Sequence, residues 1–340
     1  MAKKIRTSLI RCDTHSMWYA PLMTEHDPLL LQRPPKFRPG KESHSWQSGG
    51  VHQFFYTNYG DPTDMTVPYV GGFEVVKIWD KERHVAEQAQ AVLLGVPEIC
   101  DSVEQCSDDV DLVLIGDCNL DGLDHLELAM PGLEKGVPTF VDKPFAYTVS
   151  ECRQMVDTAK ARNIPIFSAS ILRFEPACAM FRNRLSEVGD IHYATITGAG
   201  TAPNGLVHSI SLIQHILGAG ISTVQVMKTP KQTAIWLDYD NNPTAPRDGV
   251  MIHANTGGQR PYTRGMAASV FGSRDDIHTF IFGGLAYPWG TVEIIKQIKT
   301  MLETNKNPPK LDDMIEAIAV MEAFRESEQS GKIAHVADFL

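Results

Sequence analysis

Apolar and polar positions alternate along the chain in two different textures. Through the first 141 residues, short apolar runs alternate with stretches whose apolar residues recur at helical spacing. Residues 4–10, Phe73–Trp79, 111–115 and 138–141 read as strands, and 81–94 and 123–135 as helices. The run 111–115 is nearly all apolar, as suits a central parallel strand covered on both faces. Strands alternating with helices predict a parallel, doubly wound α/β sheet with right-handed crossovers. Thr148-Val-Ser-Glu151 is a capping box, and Val149, Cys152, Met155, Val156 and Ala159 continue it as one apolar stripe. After a strand at 165–169 the texture changes. Residues 191–198, 223–227, 233–239, 250–254, 266–271 and 277–282 are strand-like and mostly follow one another without helices. That predicts an open, mostly antiparallel or mixed sheet. Helices at 291–303 and 311–328 close the chain, the second with the stripe Ile315, Ile318, Met321 and Phe324 expected to pack back on the core.

The expected organisation is an N-terminal Rossmann-like domain, residues 1–147, and a C-terminal α+β domain, residues 148–340. Residues 24–72, rich in Pro, Gly, His and aromatics, form an insertion far longer than an ordinary connection, expected as a lid or an oligomer arm.

Composition narrows the classes. A chain of 340 residues with 43% hydrophobic residues can bury two cores. Its 31 Lys plus Arg against 41 Asp plus Glu give a net charge of −10, which argues against nucleic acid or an anionic membrane as partner. No apolar run approaches the roughly 18–20 residues of a membrane span, and the opening segment reads as a strand rather than a signal peptide. The six cysteines are scattered without a CxxC pair, as expected of reduced thiols in a cytoplasmic protein.

In a doubly wound sheet, ligands gather at the carboxyl ends of the strands. The first strand runs into Arg11, Cys12, Asp13, Thr14 and His15, where a dinucleotide site would carry glycines. Asp13 or Thr14 serves there either as a helix N-cap or, with His15, as the polar floor of a pocket. Asp80 ends the second strand, where a carboxylate can accept from a ribose 2′-hydroxyl and repel a 2′-phosphate, so NAD is favoured over NADP. The fourth strand runs into Gly116, Asp117, Cys118 and Asn119, and the fifth into Asp142-Lys143-Pro144. Lys143 is a candidate proton donor, or else an ion-pair partner of Asp142. In the segment 204–217, His208, Ser211 and His215 form a polar stripe facing either solvent or a pocket. No HExxH, Cys/His cluster, P-loop or GxSxG occurs, and no metal is expected; a ligand set drawn from distant residues such as Asp13, His15 and His208 stays open.

The run VDKPFAYTVSECRQ, continuing to the LRF of residues 172–174, closely resembles the glucose–fructose oxidoreductase / inositol 2-dehydrogenase (Gfo/Idh/MocA) family, whose strand ends in E-K-P before a capped helix. The preceding DLVLIGDCN and the closing EAFRESEQSGKIAHV resemble the flanking parts. The resemblance implies an NAD-dependent oxidoreductase moving a hydride between a nicotinamide and a sugar, polyol or cyclitol carbon. It makes Lys143 and His208 the proton-handling residues and puts Arg173 near the sugar. Asn204 and Ser211 stand where the family carries aspartates. It further implies a homodimer or homotetramer joined through the open face of the second sheet. The cofactor-binding residues expected are Asp13, Thr14, His15, Asp80, Asp117, Asn119 and Lys143, and the substrate-binding residues Arg173, Asn204, Ser211 and His215. The glycine-free first turn keeps a second class in play: a non-redox sugar lyase, hydratase or isomerase, or a sugar-binding protein, with a repurposed first domain. That class predicts obstruction by Arg11, His15 or the insertion.

Overall fold

The computed structural model describes residues 3–32, 51–56, 61, 63–117, 121–198, 200–230, 232–240, 245–255, 266–282, 286–309 and 311–340. Its first sheet is built from β1 (Ile5–Ile10), β2 (Phe73–Trp79), β3 (Glu98–Ile99), β4 (Leu112–Ile115), β5 (Thr139–Val141) and β6 (Ile166–Phe167). The strands are all parallel, in the order β3-β2-β1-β4-β5-β6. The order reverses between β1 and β4, which opens a crevice at their carboxyl ends. All four residues of β4 are buried, as its unbroken apolar run predicts.

The helices of this layer are α1 (Thr14–Met23), α2 (Pro28–Gln32), α3 (Val51–Phe55), α4 (Arg83–Val92), α5 (Val103–Cys106), α6 (His125–Glu134) and α7 (Val149–Ala161). The capping box forms as read: Thr148 Oγ1 accepts from Glu151 N–H at 3.2 Å, and Glu151 returns a carboxylate to Thr148 N–H at 2.9 Å. Beyond the domain boundary expected at 147/148, α7 packs on α6 and β6 joins the first sheet as its sixth strand. The described part of the insertion is packed structure. Leu31, Val51, Phe55, Tyr56 and Val67 are buried in the core that also holds α1 and α4. Helices of five residues are too short to print a periodicity, so α2 and α3 were invisible to pattern reading.

A 3₁₀ turn at Ile171–Phe174 and α8 (Pro176–Asn183) lead into the second sheet. This sheet comprises β7 (Ile191–Thr197), β8 (Ile221–Lys228), β9 (Gln232–Tyr239), β10 (Val250–Asn255), β11 (Met266–Gly272), β12 (Asp276–Phe282) and β13 (Ala334–His335). Its order is β12-β11-β7-β10-β9-β8-β13, antiparallel except for the β10–β7 pair. Along β7, Ala194 and Ile196 are buried while Tyr193, Thr195 and Thr197 are not, the alternation of a sheet covered on one face. The covering helices include α9 (Pro203–Leu217) and α11 (Leu311–Ser330), whereas α10 (Tyr287–Thr304) packs on α1 and on the 3₁₀ turn. Among the described residues no helix is long and apolar enough to cross a membrane. The five described cysteines are free and buried.

Candidate active site

A cavity of about 180 Å³ opens where the two sheets meet, lined by His15, Trp18, Tyr19, Asp142, Lys143, Ile171, Leu172, His208, Met266 and Tyr287. Space of this size suits one small ring, since an apolar cavity of about 150 Å³ holds a benzene. Each wall has a local cause. β5 ends at Val141 and delivers Asp142 and Lys143 to the crevice. The first turn of α1 carries His15, and Trp18 and Tyr19 follow on its next turn. Gly290 lets α10 lie against the 3₁₀ turn, for a Cβ there would collide with Ile171 O and stand 3.0 Å from its carbonyl carbon.

The polar groups are coupled. Asp142, almost fully buried, pairs with His15 Nδ1 through one oxygen, and its other oxygen accepts the Tyr19 hydroxyl at 3.2 Å. Burial alone would raise the Asp142 carboxyl, but His15, Lys143 and His125 outweigh it and hold it below the ordinary carboxylate range. Lys143 acts on Asp142 by its charge without forming the close ion pair the sequence allowed; its Nζ donates to the carbonyl of Asn204 at 3.5 Å. His208 Nδ1 shares a 2.7 Å hydrogen bond with the Ser170 hydroxyl. With Nδ1 as donor, the lone pair sits on Nε2. Burial, Lys143 and His15 push the His208 imidazole well below its ordinary value, so it stays neutral. A neutral imidazole, an ammonium and a carboxylate-oriented histidine around one small cavity are groups that can accept and donate protons there.

The remaining candidates separate. Arg173 lies outside this cavity, ion-paired to Asp313 at 2.7 Å in the wall of a second one, which His215 also lines. Ser211 is fully buried within α9 and lines neither. The stripe facing solvent or a pocket thus resolves into one histidine per cavity. Asn204 enters through its main chain. Asn119, with Cys118, lies outside the described residues. Sequence reasoning missed Trp18, Tyr19, Ser170 and Tyr287, whose apolar or hydroxyl side chains carry no local signal. It also missed Asp124 and His125, which lie one helical start away from the motif residues.

Residues 49–169 match the model of the Gfo/Idh/MocA family, described as an oxidoreductase family with an NAD-binding Rossmann fold. Over those residues the chain is similar to this family. An uncharacterized oxidoreductase of Streptococcus pneumoniae is 28% identical over 138 residues, 39% of this chain and 34% of that protein, so the match spans about a third of the relative's length. Among solved structures, myo-inositol dehydrogenase from Lactobacillus casei in complex with NAD(H) and myo-inositol superposes with a TM-score of 0.73. The sequences are 11% identical, over 98% of this chain and 96% of that one. An oxidoreductase from Agrobacterium radiobacter in complex with NAD+, L-tartaric acid and magnesium gives 0.71 at 13% identity, over 99% and 100%. At these identities the likeness is one of fold.

The family's nucleotide crevice is present in outline. Aligned on G-x-G-x-x-G, the first turn reads Arg11-Cys12-Asp13-Thr14-His15-Ser16. Arg11 takes the left-handed backbone, φ 66°, that the first glycine would supply. The close helix–strand approach that the third glycine permits is supplied from the facing strand. A Cβ on Gly116 would collide with Ser16, standing 2.7 Å from its Cα and 2.8 Å from its N. Asp80 holds the turn by accepting Cys12 N–H at 2.8 Å.

The pyrophosphate cradle itself is filled from within. Asp13 caps α1 by accepting His15 N–H at 3.0 Å, and Ser16 N–H donates to Gly116 O at 3.0 Å, so these two donors of the first turn are in use. Arg11 pairs with Asp124 and stands 3.5 Å from Asp117, whose other oxygen is 3.5 Å from His125 Nε2. His125 Nδ1 donates to Pro144 O at 2.7 Å. Burial opposes its charge, but Asp117 wins and raises the imidazole. Asp117, Asp124 and His125 are the described groups close enough to share a metal ion, and the Arg11 guanidinium already lies against both carboxylates. Asp80, Asp117 and Asp124 around the single Arg11 charge do not fit a pyrophosphate.

Proposed function

We propose that this protein is a proton-transfer enzyme for a small hydroxylated, sugar- or cyclitol-like substrate, working as a lyase, hydratase or isomerase next to a carbonyl. The observation that carries the reading is the Asp13 carboxylate on the His15 N–H in the first turn of α1, backed by the Arg11–Asp117–Asp124 network. In this reading His208 Nε2 takes the proton from the carbon beside the carbonyl. The Lys143 ammonium faces the carbonyl oxygen as it gains negative charge. His15, oriented by Asp142, returns a proton to the carbon in an isomerisation or to a departing β-hydroxyl in a dehydration. Names of structural relatives support the substrate class: myo-inositol and L-tartaric acid are both small and polyhydroxylated.

A second reading, NAD-dependent oxidation of a polyol or sugar hydroxyl, is favoured by the family match and by Asp80 at the end of β2. There Lys143 and His208 handle the hydroxyl proton and Asp80 disfavours NADP. Calorimetric and fluorescence titration with NADH separates the two. The first reading expects no saturable binding at millimolar cofactor and His208-dependent deuterium uptake beside the carbonyl of a keto-inositol or uronate panel. Saturable NADH binding with hydride turnover would replace it.

A homodimer through the outer face of the second sheet accords with the aromatic row there, in which Tyr193 stacks on Trp236 at 5.8 Å and on Phe271 at 5.9 Å.

A further inference from the structure

The second cavity, of about 440 Å³, shares the 3₁₀ turn with the catalytic one: Ile171 and Leu172 line the first, Arg173 and Phe174 the second. Its ionisable lining groups among the described residues are Arg173, Arg182, His215 and Lys306, with no carboxylate. In a chain of net charge −10, that is the reverse of the average surface. Arg173 is neutralised by Asp313. Arg182 and Lys306 make no ion pair with any described residue, which leaves two full positive charges at the mouth of a hollow. Phe174, in ring contact with His215 at 6.4 Å, and buried Met301 provide apolar wall. The Asn307 side-chain oxygen accepts Ile166 N–H at 2.9 Å, so its NH₂ is the donor left over.

We propose that this hollow binds the phosphate group of a small phosphate monoester, with Arg182 and Lys306 on the phosphate oxygens and Phe174 and Met301 against the carbon skeleton. A phosphate carries about 1.5–2 negative charges and three strong acceptor oxygens, which two unpaired cations and an amide donor match better than a single carboxylate would. The volume is within the range of small-molecule pockets, about 300–1,000 Å³. A neighbouring hollow of about 340 Å³ shares Arg182 and His215, and extends the groove for the rest of a ligand. The site is separate from the proton-transfer cavity and stands or falls independently of the reaction assigned there.

Isothermal titration calorimetry of the full chain tests this, with phenyl phosphate as probe and inorganic phosphate as a second arm. Saturable binding of phenyl phosphate is expected in the millimolar range or tighter. The exposed pair Arg182→Gln/Lys306→Gln should weaken it at least about tenfold, with the thermal midpoint unchanged. Lys143→Gln, in the other cavity, should leave it as it is. Tighter binding of phenyl phosphate than of inorganic phosphate places the ring on the apolar wall. Absence of saturable binding, equal binding by the double variant, or loss of binding in Lys143→Gln would each overturn the proposal.

Discussion

In the proposed reaction His208 is the base, because its surroundings remove its charge while leaving it beside the cavity. Burial, Lys143 and His15 all disfavour the imidazolium. His208→Gln should lower turnover about 10²–10⁴-fold, the usual contribution of one general base, with the fold intact by circular dichroism. The same depression sets a pH signature. Below the unfolded histidine value of about 6.5 the unfolded chain takes up a proton that folded His208 refuses, so stability is complete above that pH and falls as the pH drops through the folded value. Urea unfolding at pH 7.5 and pH 5 should therefore show a smaller acid loss in His208→Gln than in the parent chain. An equal loss in both would mean that His208 titrates normally. Lys143 and His208 were legible in the chain because a strand end and a helix stripe bring out such residues. His215, seven positions on, was not separable from His208. Seven residues advance a helix by about 10 Å, enough to carry the same face from one cavity to the next.

At the scale of elements, the β1–α1 turn and the seat of α10 bear the most constraint. Arg11 in this turn answers Asp117 and Asp124, with side chains only 16%, 4% and 22% exposed. Arg11→Met should cost about 3 kcal/mol or more, since it leaves two carboxylates without their cation; urea unfolding at pH 7 measures it. Gly116→Ala should destabilise by about 1–3 kcal/mol, the usual penalty for overpacking, because its new Cβ meets the main chain of Ser16. Gly290→Ala should act the other way from helix propensity. Alanine ordinarily gains up to about 1 kcal/mol over glycine in a helix, yet here the Cβ meets the Ile171 carbonyl. A lowered thermal midpoint with weakened substrate binding is the expected outcome, since Ile171 and Tyr287 both wall the active cavity.

At the scale of the molecule, the aromatic row of the second sheet predicts association. Light scattering coupled to gel filtration should give a dimer or tetramer, and Trp236→Glu with Phe271→Glu should shift it toward monomer; a monomeric parent chain would remove the expectation. Apolar periodicity by itself determined the kind and order of nearly every long element here, from β2 to α11. Burial of a continuous face repeats with the period of the element, so it is written along the chain. The capping box before α7 was equally local. Tertiary structure alone decided which charges cancel. Arg11 and Asp124 stand 113 residues apart, and His15 and Asp142 are 127 apart. Their pairing depends on where parallel strands end in space, and no spacing along the chain encodes it. The chain announced a nucleotide fold with acidic strand ends; only the folded molecule converts those acids into an internal network occupying the place of a phosphate.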